Sequence, residues 1–141
     1  MSEPVRGSCL CGGVTFEISG TPKLFQYCHC ERCRKISGTA HAANFFVADT
    51  DLRWTAGEGL RARYDLPGAK YFASAFCSRC GSALPWSTRN GSVFVVPAGA
   101  MDSPLPFKPT QSIYWASRAS WYEAPGTLPR YDERPGRKTG G

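Results

Sequence analysis

Three cysteines within six residues, in Cys28-His29-Cys30-Glu31-Arg32-Cys33, are the stretch of this chain best equipped for chemistry. Thiolates are soft ligands, and Zn²⁺ takes three or four of them in a tetrahedron. The other four cysteines stand in two pairs, Cys9-Leu10-Cys11 and Cys77-Ser78-Arg79-Cys80. Two short-spaced pairs far apart in sequence usually close one structural site. Cys9, Cys11, Cys77 and Cys80 are therefore expected to hold a structural zinc. Cys28, Cys30 and Cys33 remain for a second zinc, with one coordination position open, and open positions mark reactive zinc. About two Zn²⁺ per chain are expected, the second labile or empty. His29, His41 and Glu31 are the protein groups that could fill the fourth position. His29 lies between two ligands and Glu31 is cramped, so an open or water-filled position is favoured. The Cys-x-Cys spacing with a closed four-thiolate geometry suits zinc, and the sequence leaves iron open as the alternative.

Three thiolates leave Zn²⁺ at −1, a weak Lewis acid beside a three-histidine site. Such a centre suits another task, holding an incoming thiol as its thiolate near neutral pH. An aldehyde carbon is the natural electrophile for that sulfur. Cys28, Cys30 and Cys33 are thus the expected catalytic centre. Arg32, Arg34 and Lys35 could hold the carboxylates of a peptide-like thiol, or could form a solvated helix face. Ser37 and Thr39 could donate to a substrate oxygen, or could simply end the helix. No general base stands out, so proton transfer would run through water or a hydroxyl.

Short β-strands must position these groups. Residues 1–8 read as a loose entry arm. Strands are expected over 14–18, 24–27, 40–47, 52–55, 60–66 (half-buried) and 70–76, with a hairpin from 84–88 to 92–96 turning at Asn90-Gly91. Glu31 to Ser37 could make about two helical turns, stopped by Gly38. Ile113-Tyr114-Trp115 reads as a last strand, and Trp121 and Tyr122 as a cap over the sheet. Most of the aromatic residues are expected in the core. The fold class is all-β: a small antiparallel, zinc-bound fold with metal knuckles at strand ends and at most one short helix. A single domain is expected over 1–131, with a flexible tail over 132–141.

At 141 residues and 42% hydrophobic content, the chain can bury one core. No apolar run approaches the roughly 20 residues of a membrane span. The start, Met1-Ser2-Glu3-Pro4-Val5-Arg6, has no apolar segment of a secretory signal. A reducing, cytoplasmic location is expected, where cysteine clusters mean metal rather than disulfides. The formal charge of +6 invites a nucleic-acid partner. Seven thiolates subtract seven charges and two Zn²⁺ restore four, leaving about +3, and the basic residues are scattered. Nucleic acid and membrane are both disfavoured as partners, and a homo-oligomer is left open.

Taken together, three motifs resemble the glutathione-dependent formaldehyde-activating enzymes, a family that includes the centromere protein V domain. They are Cys9-x-Cys11-Gly12-Gly13-Val14, Cys28-His29-Cys30-x-x-Cys33-Arg34-Lys35-x-Ser37-Gly38 and Phe76-Cys77-x-x-Cys80-Gly81. Ile113-Tyr114-Trp115-Ala116-Ser117-Arg118-Ala119, Trp121 and Leu128-Pro129 are similar to that family's closing segment. Two positions depart from the pattern: Ser112, where histidine is expected, and Ser120, where proline often precedes the tryptophan. The resemblance implies a tent-like zinc fold, a structural zinc on Cys9, Cys11, Cys77 and Cys80, and a labile one on Cys28, Cys30 and Cys33. It implies a carbon–sulfur lyase joining glutathione and formaldehyde, or a related small electrophile, into S-hydroxymethylglutathione. The rival expectation is a non-catalytic, zinc-stabilised module binding nucleic acid or a protein. Hydrolysis by zinc-bound water ranks lower, because three anionic ligands oppose it.

Overall fold

The computed structural model describes residues 3–136. Eleven strands and one α-helix are found among them: β1 (Val5–Ser8), β2 (Thr15–Ile18), β3 (Leu24–Cys28), α1 (Glu31–Ser37), β4 (Ala42–Ala48), β5 (Leu52–Ala56), β6 (Arg61–Asp65), β7 (Ala73–Cys77), β8 (Ala83–Leu84), β9 (Trp86–Ser87), β10 (Val93–Pro97) and β11 (Gln111–Ile113). They form three sheets, ordered β1-β2-β5, β11-β3-β4-β10-β9 and β6-β7-β8. The fold is all-β, as the sequence predicts. No helix among the described residues is long and apolar enough to cross a membrane.

The five-stranded sheet positions the chemistry. Successive side chains on a strand point to opposite faces, and directly paired residues share a face. Phe25, Phe45 and Val96 are paired in line across β3, β4 and β10. They turn one face into the core, where Phe25 and Phe45 meet Phe107 at ring distances of 6.0 and 5.1 Å. The opposite face carries the rows Cys28–Ala42, Gln26–Asn44–Pro97 and Phe46–Val95–Trp86. A one-residue slip would exchange the two faces, so the apolar pattern of β3 and β4 fixes where Cys28 points.

Several expectations are corrected. Residues 5–8 are no loose arm: β1 pairs with β2, Val5 opposite Ile18 and Ser8 opposite Thr15. Gly7 is buried there, and a side chain at that position would run into the Phe16 ring. The strand expected over 84–88 is two short ones, because Pro85 cannot donate to a ladder. At that point the chain leaves one sheet for another: β8 pairs with β7 and β9 with β10. The hairpin does not turn on Asn90-Gly91 alone. Thr88 N donates to Val93 O at 2.9 Å and Gly91 N to Thr88 O at 2.8 Å, a wider loop that the Asn90 side chain braces through Thr88 and Ser92. β6 is an edge strand with Arg63, Tyr64 and Asp65 exposed, not a half-buried one. Its alternating pattern is satisfied at the surface, where Arg61 lies 4.2 Å over Trp54 and Arg63 holds Asp65.

The last strand is Gln111–Ile113, and it runs parallel to β3, unlike the other pairings in the sheets. Tyr114 follows with φ 55°, the sole non-glycine residue at positive φ among those described. That conformation costs a β-carbon-bearing residue on the order of 1 kcal/mol, and it turns the chain back over the sheet end. Tyr122 packs there, whereas Trp121 is 66% exposed and caps nothing. Tyr114 and Trp115 are also exposed, so these aromatics are not core. Residues 132–136 carry neither helix nor strand, and the rest of the expected tail, 137–141, lies outside the described residues.

Candidate metal centre

Two tight turns bring four cysteines together. Gly12 N donates to Cys9 O at 2.9 Å, and Gly81 N to Cys77 O at 2.7 Å. Both glycines have positive φ, 78° and 77°, which a side chain would resist. The sulfurs of Cys9, Cys11, Cys77 and Cys80 all lie within 4.8 Å of one another. Cys9 Sγ is 3.5 Å from Cys11 Sγ, which is 3.9 Å from Cys77 Sγ. Sulfurs about 2.3 Å from a tetrahedral ion stand about 3.8 Å apart, so the set fits Zn²⁺. All seven cysteines are free thiols.

The surroundings prepare these four for a cation. Val14 N donates to Cys9 Sγ at 3.2 Å and Arg79 Nε to Cys11 Sγ at 3.3 Å. The Gly13 N–H, then Arg79, lower the Cys11 pKa. The Ser82 hydroxyl, 3.2 Å from Cys80 Sγ, and the Ser82 N–H bring Cys80 down to about 5. Cys77 receives lowering bonds from the Cys80 and Arg79 N–H groups, yet burial and the neighbouring thiols hold it up.

The second group is local in sequence. Cys28 ends β3, Cys30 caps α1 and Cys33 occupies its first turn. The Cys33 N–H donates to Cys30 Sγ at 3.4 Å, so one ligand also serves as the helix cap. The three sulfurs lie within 4.8 Å of one another. Among the described residues, no histidine, carboxylate or further thiol joins them at that spacing. Burial raises the Cys28 and Cys33 thiols, with Cys28 and Cys30 adding to the rise at Cys33. Burial also pushes Cys30 up, but the Cys33 N–H and the two other thiols outweigh it and leave Cys30 lowered. A cation would relieve the crowding of three adjacent sulfurs, so the donor set fits a soft metal.

His29 turns away from the sulfurs and is fully buried. His41, Trp115 and Tyr122 surround its ring at 4.9, 5.1 and 5.1 Å, and neither nitrogen has a hydrogen-bond partner. Burial, then His41 and Arg118, lower its pKa and keep it neutral. The closing segment is fastened to this loop by His29 N donating to Ile113 O at 3.0 Å. Sequence reasoning had no signal for this aromatic box, which depends on a strand 85 residues downstream.

A cavity of about 390 Å³ opens beside Cys28 and Cys33. Its floor is the second face of the five-stranded sheet. β7 and β8 supply Ser74, Ala75 and Leu84, and α1 supplies Ile36 and Ser37. Ser37 Oγ donates to Cys33 O at 2.7 Å and Thr39 Oγ1 to His41 O at 2.6 Å. His41 is the one titratable lining residue besides the two cysteines. Its Nδ1 is 3.2 Å from Ala42 O, which assigns the proton to Nδ1 and leaves the lone pair on Nε2. A second cleft of about 430 Å³ shares the walls Phe46, Phe72, Trp86 and Val95 and adds Arg32 and Lys70. Of the cations expected to meet substrate, Arg32 lines that cleft, while Arg34 and Lys35 line neither cavity. Lys70, Asn44, Ser74 and Trp86 carry no motif, since only long-range pairing brings them here.

Residues 4–117 match the family model of the glutathione-dependent formaldehyde-activating enzyme. The chain belongs to that family. A Halomonas elongata protein, provisionally named a glutathione-dependent formaldehyde-activating enzyme, is 33% identical over 129 residues, covering 84% of this chain and 80% of its own. A crystal structure of a Rhodobacter sphaeroides protein superposes with a TM-score of 0.60 at 20% identity, covering 76% of this chain and 98% of its own. That likeness supports the fold alone. This member of the glutathione-dependent formaldehyde-activating family brings its seven cysteines together in two sulfur clusters.

Proposed function

We propose that the protein is a zinc-dependent carbon–sulfur lyase that joins a thiol such as glutathione to a small aldehyde such as formaldehyde. The observation that carries the reading is the unequal division of sulfur. Four thiols form a closed set, none of them on the lining of the 390 Å³ cavity, while two of the other three, Cys28 and Cys33, stand at its wall, and among the described residues no fourth protein donor joins the three. Zinc held by Cys28, Cys30 and Cys33 would supply an anionic, sulfur-accepting centre that favours the thiolate of an incoming thiol.

The chain's own residues do the rest. Arg32 and Lys70, in the adjoining cleft, meet the carboxylates of a peptide-like thiol. Arg34 and Lys35 add positive potential from the same helix. Ser37 and Thr39 direct their protons at the carbonyls of Cys33 and His41, so toward a bound molecule they offer lone pairs. His41, the one titratable lining residue besides the two cysteines, is the group to which we assign transfer of the thiol proton to the aldehyde oxygen. The carbon–sulfur bond forms as the carbonyl π bond breaks, with no change in oxidation state.

Exchange NMR of glutathione with formaldehyde, with and without zinc-loaded protein, tests this. Faster exchange is expected, and it should vanish in Cys28→Ser. Unchanged exchange at full zinc loading, with formaldehyde and with larger aldehydes alike, would remove the reading.

A further inference from the structure

We infer that the aldehyde selected by this chain is larger than formaldehyde: an uncharged one with an apolar body, branched or aromatic. This rests on the thiol–aldehyde reading and concerns the electrophile's side of the same site. A water molecule's share of liquid volume is about 30 Å³, and a one-carbon aldehyde is only slightly larger. The cavity beside Cys28 and Cys33 holds about 390 Å³. Its walls include Ile36, Phe46, Phe72, Leu84, Trp86 and Val95, and no Asp, Glu, Lys or Arg lines it. Formaldehyde would leave that space to water held against apolar surface. An aromatic or branched aldehyde would displace the water and bury its own carbon, worth about tenfold or more in selectivity.

Two polar groups in the cavity point to a carbonyl. Ser74 is only 8% exposed, lines the cavity and makes no side-chain hydrogen bond among the described residues. Asn44 lines it too, and its amide is likewise without a partner. Gln26, their neighbour, is anchored through its Oε1, which accepts from Gln111 Nε2 at 2.8 Å, and its amide N–H groups add to the same donor set. A hydroxyl on a buried serine and an amide on a half-buried asparagine, both on the cavity lining and unpaired among the described residues, favour a ligand that can bond to them. A carbonyl oxygen has two lone pairs to offer these donors. Asn44 follows Ala42 by two residues on the same face, about 6.7 Å along the strand. Ala42 is the direct cross-strand partner of Cys28. An oxygen held by Asn44 therefore stands one side-chain row from the sulfur end. The thiol's charged groups stay outside, in the cleft with Arg32 and Lys70. The step is R–SH plus R′–CHO giving R–S–CH(OH)–R′: one carbon–sulfur bond is made, the thiol proton ends on the former carbonyl oxygen, and nothing leaves.

The test has two arms on the zinc-loaded full chain. In the first, glutathione is offered formaldehyde, 3-methylbutanal or benzaldehyde, and each rate is divided by its uncatalysed rate. The two larger aldehydes should show accelerations at least about tenfold above formaldehyde. In the second, benzamide, an unreactive carbonyl compound with an aromatic body, is titrated into ¹⁵N-labelled protein. The Trp86 indole signal should move, and both Ser74→Ala and Asn44→Leu should weaken binding about tenfold with zinc content and circular dichroism unchanged. If no aldehyde is accelerated but benzamide binds this way, the thiol–aldehyde reading falls and recognition of an apolar carbonyl compound stands. Formaldehyde accelerated as much as the others, benzamide leaving Trp86 unmoved, or variants binding like the parent overturns the inference.

Discussion

Cys28 stands directly opposite Ala42 across the β3–β4 ladder, and both are buried against Cys33. Ala42 packs on both sulfur-bearing residues at the cavity wall, so a longer side chain there would crowd the sulfurs and fill the space beside them. Ala42→Leu should lose metal from the three-thiol site and cut activity more than about tenfold, with about 1–3 kcal/mol of overpacking cost to stability. Zinc content per chain and a thermal melt check this. A parent-like zinc count would show that the sulfurs tolerate crowding from β4.

The two sulfur sets should fail differently. Cys30→Ser should lower zinc from about two per chain to about one with the fold intact. Its loss also removes the cap that accepts from the Cys33 N–H, a further cost of about 1 kcal/mol that the serine hydroxyl partly restores. Cys77→Ser opens the set that ties the turn before β2 to the end of β7. Structural zinc contributes on the order of 10 kcal/mol to folding, so this variant should be largely unfolded or insoluble. Near-ultraviolet circular dichroism beside metal analysis separates the outcomes.

Metal release should depend on pH, with the sites emptying in order. Binding needs thiolates, so a thiol whose pKa is raised in the free protein gives up a proton to the metal and takes it back first as pH falls. Two of the three thiols in the local set, Cys28 and Cys33, are raised by burial. Of the four-thiol set, Cys11 is lowered and Cys80 lies at about 5, against one raised group, Cys77. Lowering the pH from neutral should therefore release the Cys28/Cys30/Cys33 metal first and hold the other until about pH 5 or below. A chromogenic zinc indicator should record two steps in the parent and the later one alone in Cys30→Ser.

How much of this was legible in the sequence follows from range. The cluster Cys28, Cys30, Cys33 and its helix are encoded within eleven residues, and α1 matches its expected bounds, Glu31 to Ser37, capped at both ends by Cys30 and Gly38. The four-thiol set spans the chain, yet it was readable because paired cysteines announce themselves. The cavity was not. Its polar groups, Asn44 and Ser74, lie on strands from two sheets, and nothing local distinguishes them from any other strand residue. The sequence predicts a strand from Lys70; the residue sits instead in the loop before β7, beside Tyr71, and reaches the cleft with Arg32 through that loop. Pro85 was the one local signal overlooked, since a residue that cannot donate had to break the strand it was placed in.

His41 offers the sharpest test of proton movement. Tyr27 stacks on its ring at 4.2 Å and the Ala42 carbonyl takes its Nδ1 proton, so the imidazole is held in one orientation and one tautomer. Such a group typically contributes about 10²–10⁴-fold to a proton-transfer step. His41→Gln can keep a donor to Ala42 O while removing the basic nitrogen. It should lower kcat at least about 100-fold while leaving KM for the thiol and both metals in place, because no sulfur is touched. His41→Ala should be equally slow and should recover with added imidazole, which can occupy the space left under Tyr27. Rescue by imidazole but not by a similarly sized non-basic azole would assign the effect to the nitrogen rather than to lost stacking. If His41→Gln turned over at the parent rate, the proton would have to travel through water instead.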